Sequence, residues 1–302
     1  MKKILLTRII ILLFCFPAFS QKKNKCCSEA EDSLKYYGKA MLAAQNPLQN
    51  DKAAARFREL FFETLNCENA FSYPFDSLKM ISKILSPDKK FRLLNWQYRR
   101  KDGKHCYYCF IQLKNPKTKK VDLIELTDNS SEIDGPESRQ LNAENWYGAL
   151  YYQMVPVKVN GKKYYTLLGM KWNNSLSSKK VIDVLWFNDQ NQPVFGESIF
   201  KYGMLPVRRI VFEFSTQASM MLRYEKKKKY IIWEHLAPTH SHLSGSFQFY
   251  GPDGSYDALK FDDGKWNYIP DANVPQTKPQ KRDTSKVIRK KQPDMPYMKK
   301  NK

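Results

Sequence analysis

The sequence predicts a mainly β fold: an antiparallel meander, sandwich or barrel-like, preceded by a small helical segment. Three observations carry that prediction. Apolar residues repeat at helical spacing up to about Ser86 and alternate at strand spacing after residue 90. Gly, Asn, Asp and Pro cluster between the later runs at short, fairly even intervals. Aromatic and β-branched residues crowd those runs, as suits a pleated, half-buried surface.

The chain begins with Lys2, Lys3 and Arg8, an apolar run from Ile9 to Phe16, and Ala18-Phe19-Ser20. This is the pattern of a secretory signal over residues 1–20, cut between Ser20 and Gln21. Its apolar stretch is about a dozen residues, short of the roughly 20 that cross hydrocarbon, so no transmembrane span is expected in the mature chain. Residues 21–88 read as helical. Leu34, Tyr37, Met41 and Leu42 share one face of a first helix that ends near Asn46-Pro47. Asp51 can cap a second, in which Ala54, Phe57, Leu60, Phe61 and Leu65 repeat at helical spacing. A third, shorter helix is predicted from Pro74 to Leu85, stopped by Ser86-Pro87.

Residues 89–269 read as the antiparallel β domain. Strands are predicted over 91–98, 106–113 and 121–126, parted by Lys101-Asp102-Gly103-Lys104 and Asn115-Pro116-Lys117-Thr118. A polar loop follows over 128–144. Asn160-Gly161 between two alternating runs is the strongest hairpin signal in the chain, because a type I′ turn wants positive φ at both central residues. Further strands are predicted over 180–187, 194–201, 208–214, 220–224, 229–234, 246–250 and 256–261, with a short piece at Trp266. An outer-membrane barrel is the rival for an exported, aromatic-rich chain. The helical start and the basic, proline-bearing end argue against it.

Composition bounds function. With 42% apolar residues in 302, the chain can bury a sizeable core, and its 12 Gly and six Cys exclude collagen-like and disulfide-dense classes. Net charge is +21. Residues 270–302 hold ten basic and three acidic residues and read as a basic disordered tail, a docking arm for an anionic envelope polymer or lipid surface. Nucleic acid is not an expected partner of an exported chain. The mature chain keeps Cys26, Cys27, Cys67, Cys106 and Cys109, an odd number for an oxidising compartment. Cys67, Cys106 and Cys109 are read as disulfide partners or buried thiols. Cys106-x-x-Cys109 lies in a strand-like run, where residues three apart face opposite sides, so it lacks the helix-start setting of redox pairs.

The densest polar constellation is Glu234 to His242, a Pro-containing loop with three of the four histidines. His240 and His242 alternate and face one way when extended, and His235 or Glu234 would complete a zinc or copper site. No catalytic residues are assigned: there is no Gly-x-Ser-x-Gly elbow, no phosphate-cradling Gly-rich loop and no calcium loop. Gly251-Pro252-Asp253-Gly254-Ser255 reads as a tight turn between strands. Aromatics from Trp146 to Phe187, interleaved with Lys158, Lys162 and Lys163, read as core with a stacking platform as the alternative.

Trp146-Tyr147-Gly148-Ala149-Leu150-Tyr151-Tyr152, Tyr164-Tyr165-Thr166-Leu167-Leu168-Gly169 and Lys180-Val181-Ile182-Asp183-Val184-Leu185 stand with Phe195-Gly196, Glu234-His235-Leu236-Ala237-Pro238 and Phe249-Tyr250-Gly251-Pro252-Asp253. Over about residues 90–268 this text resembles a family of exported, β-rich proteins of Gram-negative bacteria with no assigned function. The resemblance implies export and a β-rich body and supplies no catalytic residues. One departure stands out: a Trp-Asp-Gly-Asn-like turn would follow Gly169, whereas this chain has Met170-Lys171-Trp172-Asn173-Asn174. Any site that used a carboxylate at 171 is lost. The expected function is that of a non-enzymatic periplasmic or cell-surface binding module. The alternative is a metal-dependent hydrolase built on Glu234, His235, His240 and His242.

Overall fold

The structure, a computed structural model, describes residues 25–43, 47–118, 120–204 and 206–273. The chain divides into a compact unit, Met1–Ala272, and the remainder, Asn273–Lys302. The predicted signal with its Ser20/Gln21 cleavage point, and residues 274–302 of the predicted tail, lie outside the described residues.

Among the described residues two helices come first, α1 (Lys25–Leu42) and α2 (Pro47–Leu65). In α1, Cys27, Leu34, Gly38 and Met41 form one buried stripe, and in α2 Ala54, Phe57, Phe61 and Leu65 do the same. Leu42, predicted on the inner face, is exposed. A disulfide between Cys26 and Cys67 ties the start of α1 to the turn after α2. The predicted third helix is not formed. After a 3-10 turn at Ala70–Ser72 the chain runs through turns into β1 (Ser82–Leu85). Pro74 cannot donate to a helix, Phe75 takes a left-handed φ of 52°, and Ile84 pairs across β2 with Leu93. The helix-like spacing of Leu78 and Ile81 buries both side chains beneath the helices instead.

Among the described residues fourteen strands follow in three sheets. β1, β2 (Phe91–Arg99), β3 (His105–Lys114) and β4 (Val121–Leu126) form an antiparallel meander in chain order. The middle sheet runs β5 (Leu150–Val159), β6 (Lys162–Trp172), β7 (Ser177–Phe187) and β10 (Ile210–Ser215), with β8 (Pro193–Phe195) also on β7. The third runs β11 (Leu222–Glu225), β12 (Tyr230–Pro238), β13 (Tyr250–Asp262), β14 (Lys265–Ile269) and β9 (Phe200–Lys201), the last pair parallel. The fold is thus mainly β with N-terminal helices, and no barrel closes. The β5–β6 turn has φ of 47° at Asn160 and 81° at Gly161, the positive pair that a type I′ turn demands.

Side-chain alternation stacks these elements in four layers. Leu94, Trp96, Tyr98 and Phe110 of the first sheet pack on the helices. Its other face, with Phe91, Leu93, Tyr107, Cys109 and Ile111, packs on Tyr151, Tyr165, Leu167, Val181 and Leu185 of the middle sheet. The reverse face of the middle sheet, with Tyr164, Leu168, Ile182 and Val184, packs on Ile231, Trp233, Leu259 and Trp266 of the third. The helices therefore share a core with the first sheet, and the predicted boundary at residue 88 separates two paired strands, β1 and β2. Cys106 packs toward the helices and Cys109 toward the middle sheet, so these two thiols stay apart and free. Of the three cysteines singled out, Cys67 alone is bonded, to Cys26.

Polar side chains splice the layers. Asn95 Oδ1, fully buried, accepts the Tyr151 N–H at 2.8 Å across the first two sheets. Gln153 Oε1 accepts the Tyr224 N–H at 2.9 Å, and its amide reaches the Tyr224 carbonyl at 3.5 Å, extending the middle sheet toward the third. Arg209 and Asp183, both side chains 0% exposed, form an ion pair at 2.9 Å, and Tyr151 donates to the same carboxylate oxygen at 2.9 Å. Arg209 Nη1 also donates to the Pro136 carbonyl at 2.6 Å.

Candidate functional site

Along β6 the odd positions Tyr165, Leu167 and Gly169 face the core between the first and middle sheets; the next in that row is Lys171. A lysine at the end of a buried row has to find polar partners or lose its charge. Lys171 is 7% exposed. Its Nζ donates to Ser130 Oγ and to the Gly148 carbonyl, each at 2.8 Å. It lies 4.3 Å from the centre of the Tyr107 ring and 5.0 Å from that of Tyr147, within cation–π range of both. Burial pushes its pKa down to about 8, against the opposing pull of Asp128.

Asp128 holds this cage together. One of its oxygens accepts from the Ser130 N–H at 3.1 Å, from the Gly148 N–H at 3.2 Å and from the Ser130 hydroxyl as well. Gly148 N–H is shared with Ser130 Oγ at 3.0 Å. The carboxylate sits so close over Gly148 that any Cβ there would collide with it. Glycine at 148 is therefore a requirement of the cage.

Lys171 forms part of the lining of a cleft of about 1130 Å³ at one end of the two-sheet sandwich. Three segments wall it: the β2–β3 hairpin tip with Arg99, Arg100, Asp102, Lys104 and His105; the loop with Asp128, Ser130 and Ser131; and the β6–β7 tip with Trp172, Asn173 and Asn174. His105 and Trp172 stack across the two sheets, rings 5.6 Å apart and 17° from parallel. Tyr107 pins that contact, its hydroxyl accepting the Trp172 N–H at 2.6 Å. His105 Nδ1 is 2.8 Å from Gln97 Oε1, which places the ring proton on Nδ1. Burial, with Arg99 and Lys171 nearby, lowers the His105 pKa and so favours the neutral ring. Five cationic side chains, Arg99, Arg100, Lys104, Lys171 and Lys179, border the cleft against two carboxylates, Asp102 and Asp128. Arg100 is 3.6 Å from Asp102, and Lys179 is 3.2 Å from Glu213. The arrangement holds fixed positive charge beside a flat π surface and amide and hydroxyl groups, which suits capture of a polar anion.

The residues singled out for metal binding lie elsewhere. β12 extends through the predicted loop to Pro238, and the predicted turn Gly251–Ser255 lies inside β13, with Gly251 and Pro252 paired to β12 and Asp253–Ser255 forming a bulge. The register slips between Glu234 and Leu236, so that His235 opposes the extra residues and Gly254 takes φ of 94°. His235 Nδ1 is 2.8 Å from Asp253 Oδ2, with side chains 44% and 36% exposed. The Ser255 backbone N–H, helped by the Ser255 hydroxyl and His235, holds the Asp253 carboxyl down at about 2 against the opposing effect of burial. Glu234, adjacent and so on the opposite face, accepts the Met221 N–H at 2.7 Å. His240 and His242 do face one way, rings 5.6 Å apart and 7° from parallel, His240 capping the 3-10 turn Ser241–Leu243 and His242 lying within it. Among the described residues no three His, Cys, Asp or Glu side chains are grouped to hold a metal ion.

Burial also raises the pKa of both Cys106 and Cys109, away from thiolate chemistry. The aromatic run is core for the most part: Trp146, Tyr147, Tyr151, Tyr164 and Tyr165 are buried. The cleft residues Asp128, Ser130 and Lys171 were not among the sequence candidates for binding. The signal that finds them is the cation in the inward row of β6. Compared with known proteins, the chain matches no family model, no curated protein and no solved structure.

Proposed function

We propose that this chain is a non-enzymatic binding module of the bacterial envelope, exported across the inner membrane, and that its ligand is an anion held in the cleft walled by Arg99–His105, Asp128–Ser131 and Lys171–Asn174. The observation that carries the reading is the excess of cationic over anionic side chains lining this cleft, with the buried Lys171 among them. Export is supported by the charged start, apolar run and small-residue exit of the first 20 residues, and by the Cys26–Cys67 disulfide, a bond that persists in oxidising compartments. Among the described residues no helix is long and apolar enough to cross a membrane. The basic residues after 270 would add long-range attraction to the same anionic surroundings.

Amide hydrogen exchange of the full mature chain with and without short dextran sulfate tests the cleft. Protection should concentrate on residues 99–106 and 171–175, fade with added salt, and vanish in an Arg99→Glu/Lys104→Glu double variant. Protection confined to other surfaces, or unchanged by the variant, would overturn the reading.

A further inference from the structure

Taking the cleft as the binding site, we infer that the anion it takes is an acidic saccharide, a short run of sugar rings carrying carboxylates. A sugar ring offers a C–H face and a rim of hydroxyls, and the cleft offers the complement of both. The stacked His105 and Trp172 rings provide a π surface at its border. Around it stand groups that hydrogen-bond hydroxyls: Asn173, Asn174, Ser131 and Asp102. Arg99 and Arg100 are consecutive at the end of the β2–β3 tip, and a guanidinium can hold a carboxylate through two parallel N–H donors.

A peptide ligand fits less well. Extended peptides bind by adding a strand to a free sheet edge, or by seating apolar side chains in pockets. Here the walls are hairpin tips whose strands already pair with each other, Arg99 with His105 and Trp172 with Ser178. The aliphatic lining amounts to Ile133 and Pro136. Lys171 does not need to touch the sugar. Its ammonium is held by Ser130, Gly148 and two tyrosine rings, and acts as a fixed charge at the floor that draws a carboxylate inward and keeps cations out.

Calorimetric titration of the full mature chain with three probes decides this: trigalacturonate, the neutral sugar maltotriose, and triglutamate as a peptide of equal charge. Trigalacturonate should bind on the order of tenfold or more tightly than either of the others. Trp172→Ala should weaken it by about tenfold, while Trp172→Phe, which keeps a π face, stays within about threefold of the parent. Arg99→Gln/Arg100→Gln should weaken it by at least about tenfold, with salt dependence reduced. Triglutamate binding as tightly as trigalacturonate, with Trp172→Phe and Trp172→Ala alike indifferent, would overturn the saccharide assignment and leave the anion-binding cleft standing. Binding of every probe that no cleft variant alters, or no binding of either anionic probe, would remove the cleft reading itself.

Discussion

The two ends of this molecule treat charge in opposite ways. At the cleft, Lys171 is buried and caged, and behind the Tyr147 wall Arg209 and Asp183 pair at 0% exposure; at the β12–β13 bulge, His235 and Asp253 pair at the surface. The histidine end is the denser in the text, with three histidines in nine residues, yet His240 and His242 are exposed and Glu234 and His235 turn to different partners, Met221 and Asp253. The cleft end is assembled from three segments distant in the chain; its rim arginines are exposed, but Lys171 and the Arg209–Asp183 pair lie where water is scarce. Electrostatic work is done where the dielectric is low, so a buried lone lysine outweighs an exposed cluster of imidazoles.

The contrast should show first in stability. Arg209→Met leaves the Asp183 carboxylate buried without its cation and should cost about 3–5 kcal/mol in urea unfolding. A loss under about 1 kcal/mol would mean water reaches this pair, and the contrast between the ends would collapse. Next comes the pH response of Lys171. Its pKa falls from 10.5 to about 8 on folding, so between these values the unfolded chain binds more protons. Stability therefore rises with pH across that window, by on the order of 3 kcal/mol relative to a Lys171→Met variant measured in parallel. Parallel curves for the two proteins from pH 7.5 to about 10 would show the lysine to be hydrated.

Gly148→Ala should follow, at about 2 kcal/mol, because Asp128 must leave its bonds to Ser130 and the 148 N–H to admit a methyl group. The same variant should shift the Lys171 titration, read by NMR of its side chain. The smallest effect belongs to the other end: His235→Ala should change stability by less than about 1 kcal/mol, as for exposed ion pairs in general. A larger loss there would show that the bulge depends on this contact.

Much of the fold is legible in the residues themselves. Asn160-Gly161, the turn at 101–104 and the turn at 115–118 all close hairpins where their chemistry places them, and the inner faces of both helices follow their spacing except at Leu42, which is exposed. What escapes is decided by tertiary pairing. Ser82 to Leu85 has no strong local preference, and β2 recruits it as an edge strand. Pro238 and Gly251 look like punctuation, yet both lie in a ladder that bends through a bulge. The cleft escapes for a similar reason: Asp128, Gly148 and Lys171 meet only once two sheets stack. The inward lysine of β6 is visible beforehand through period-two alternation, but its partners are not. The paired alternation of His240 and His242 is legible too; without a third group beside them it makes no ligand set.

The middle sheet has neither face to solvent, since helices and the first sheet cover one side of it and the third sheet the other. This gives the cleft one stiff wall and one pliant wall. Lys171 and Trp172 ride on β6, whose central amides should be among the last to exchange with deuterium, whereas the β2–β3 tip, exposed at Arg99, Arg100, Lys101, Asp102 and Lys104, should exchange early. If both walls exchange alike, the asymmetry is absent. Where it holds, a ligand entering the cleft meets an anvil on one side and a clasp on the other, and any closing movement belongs to the arginines.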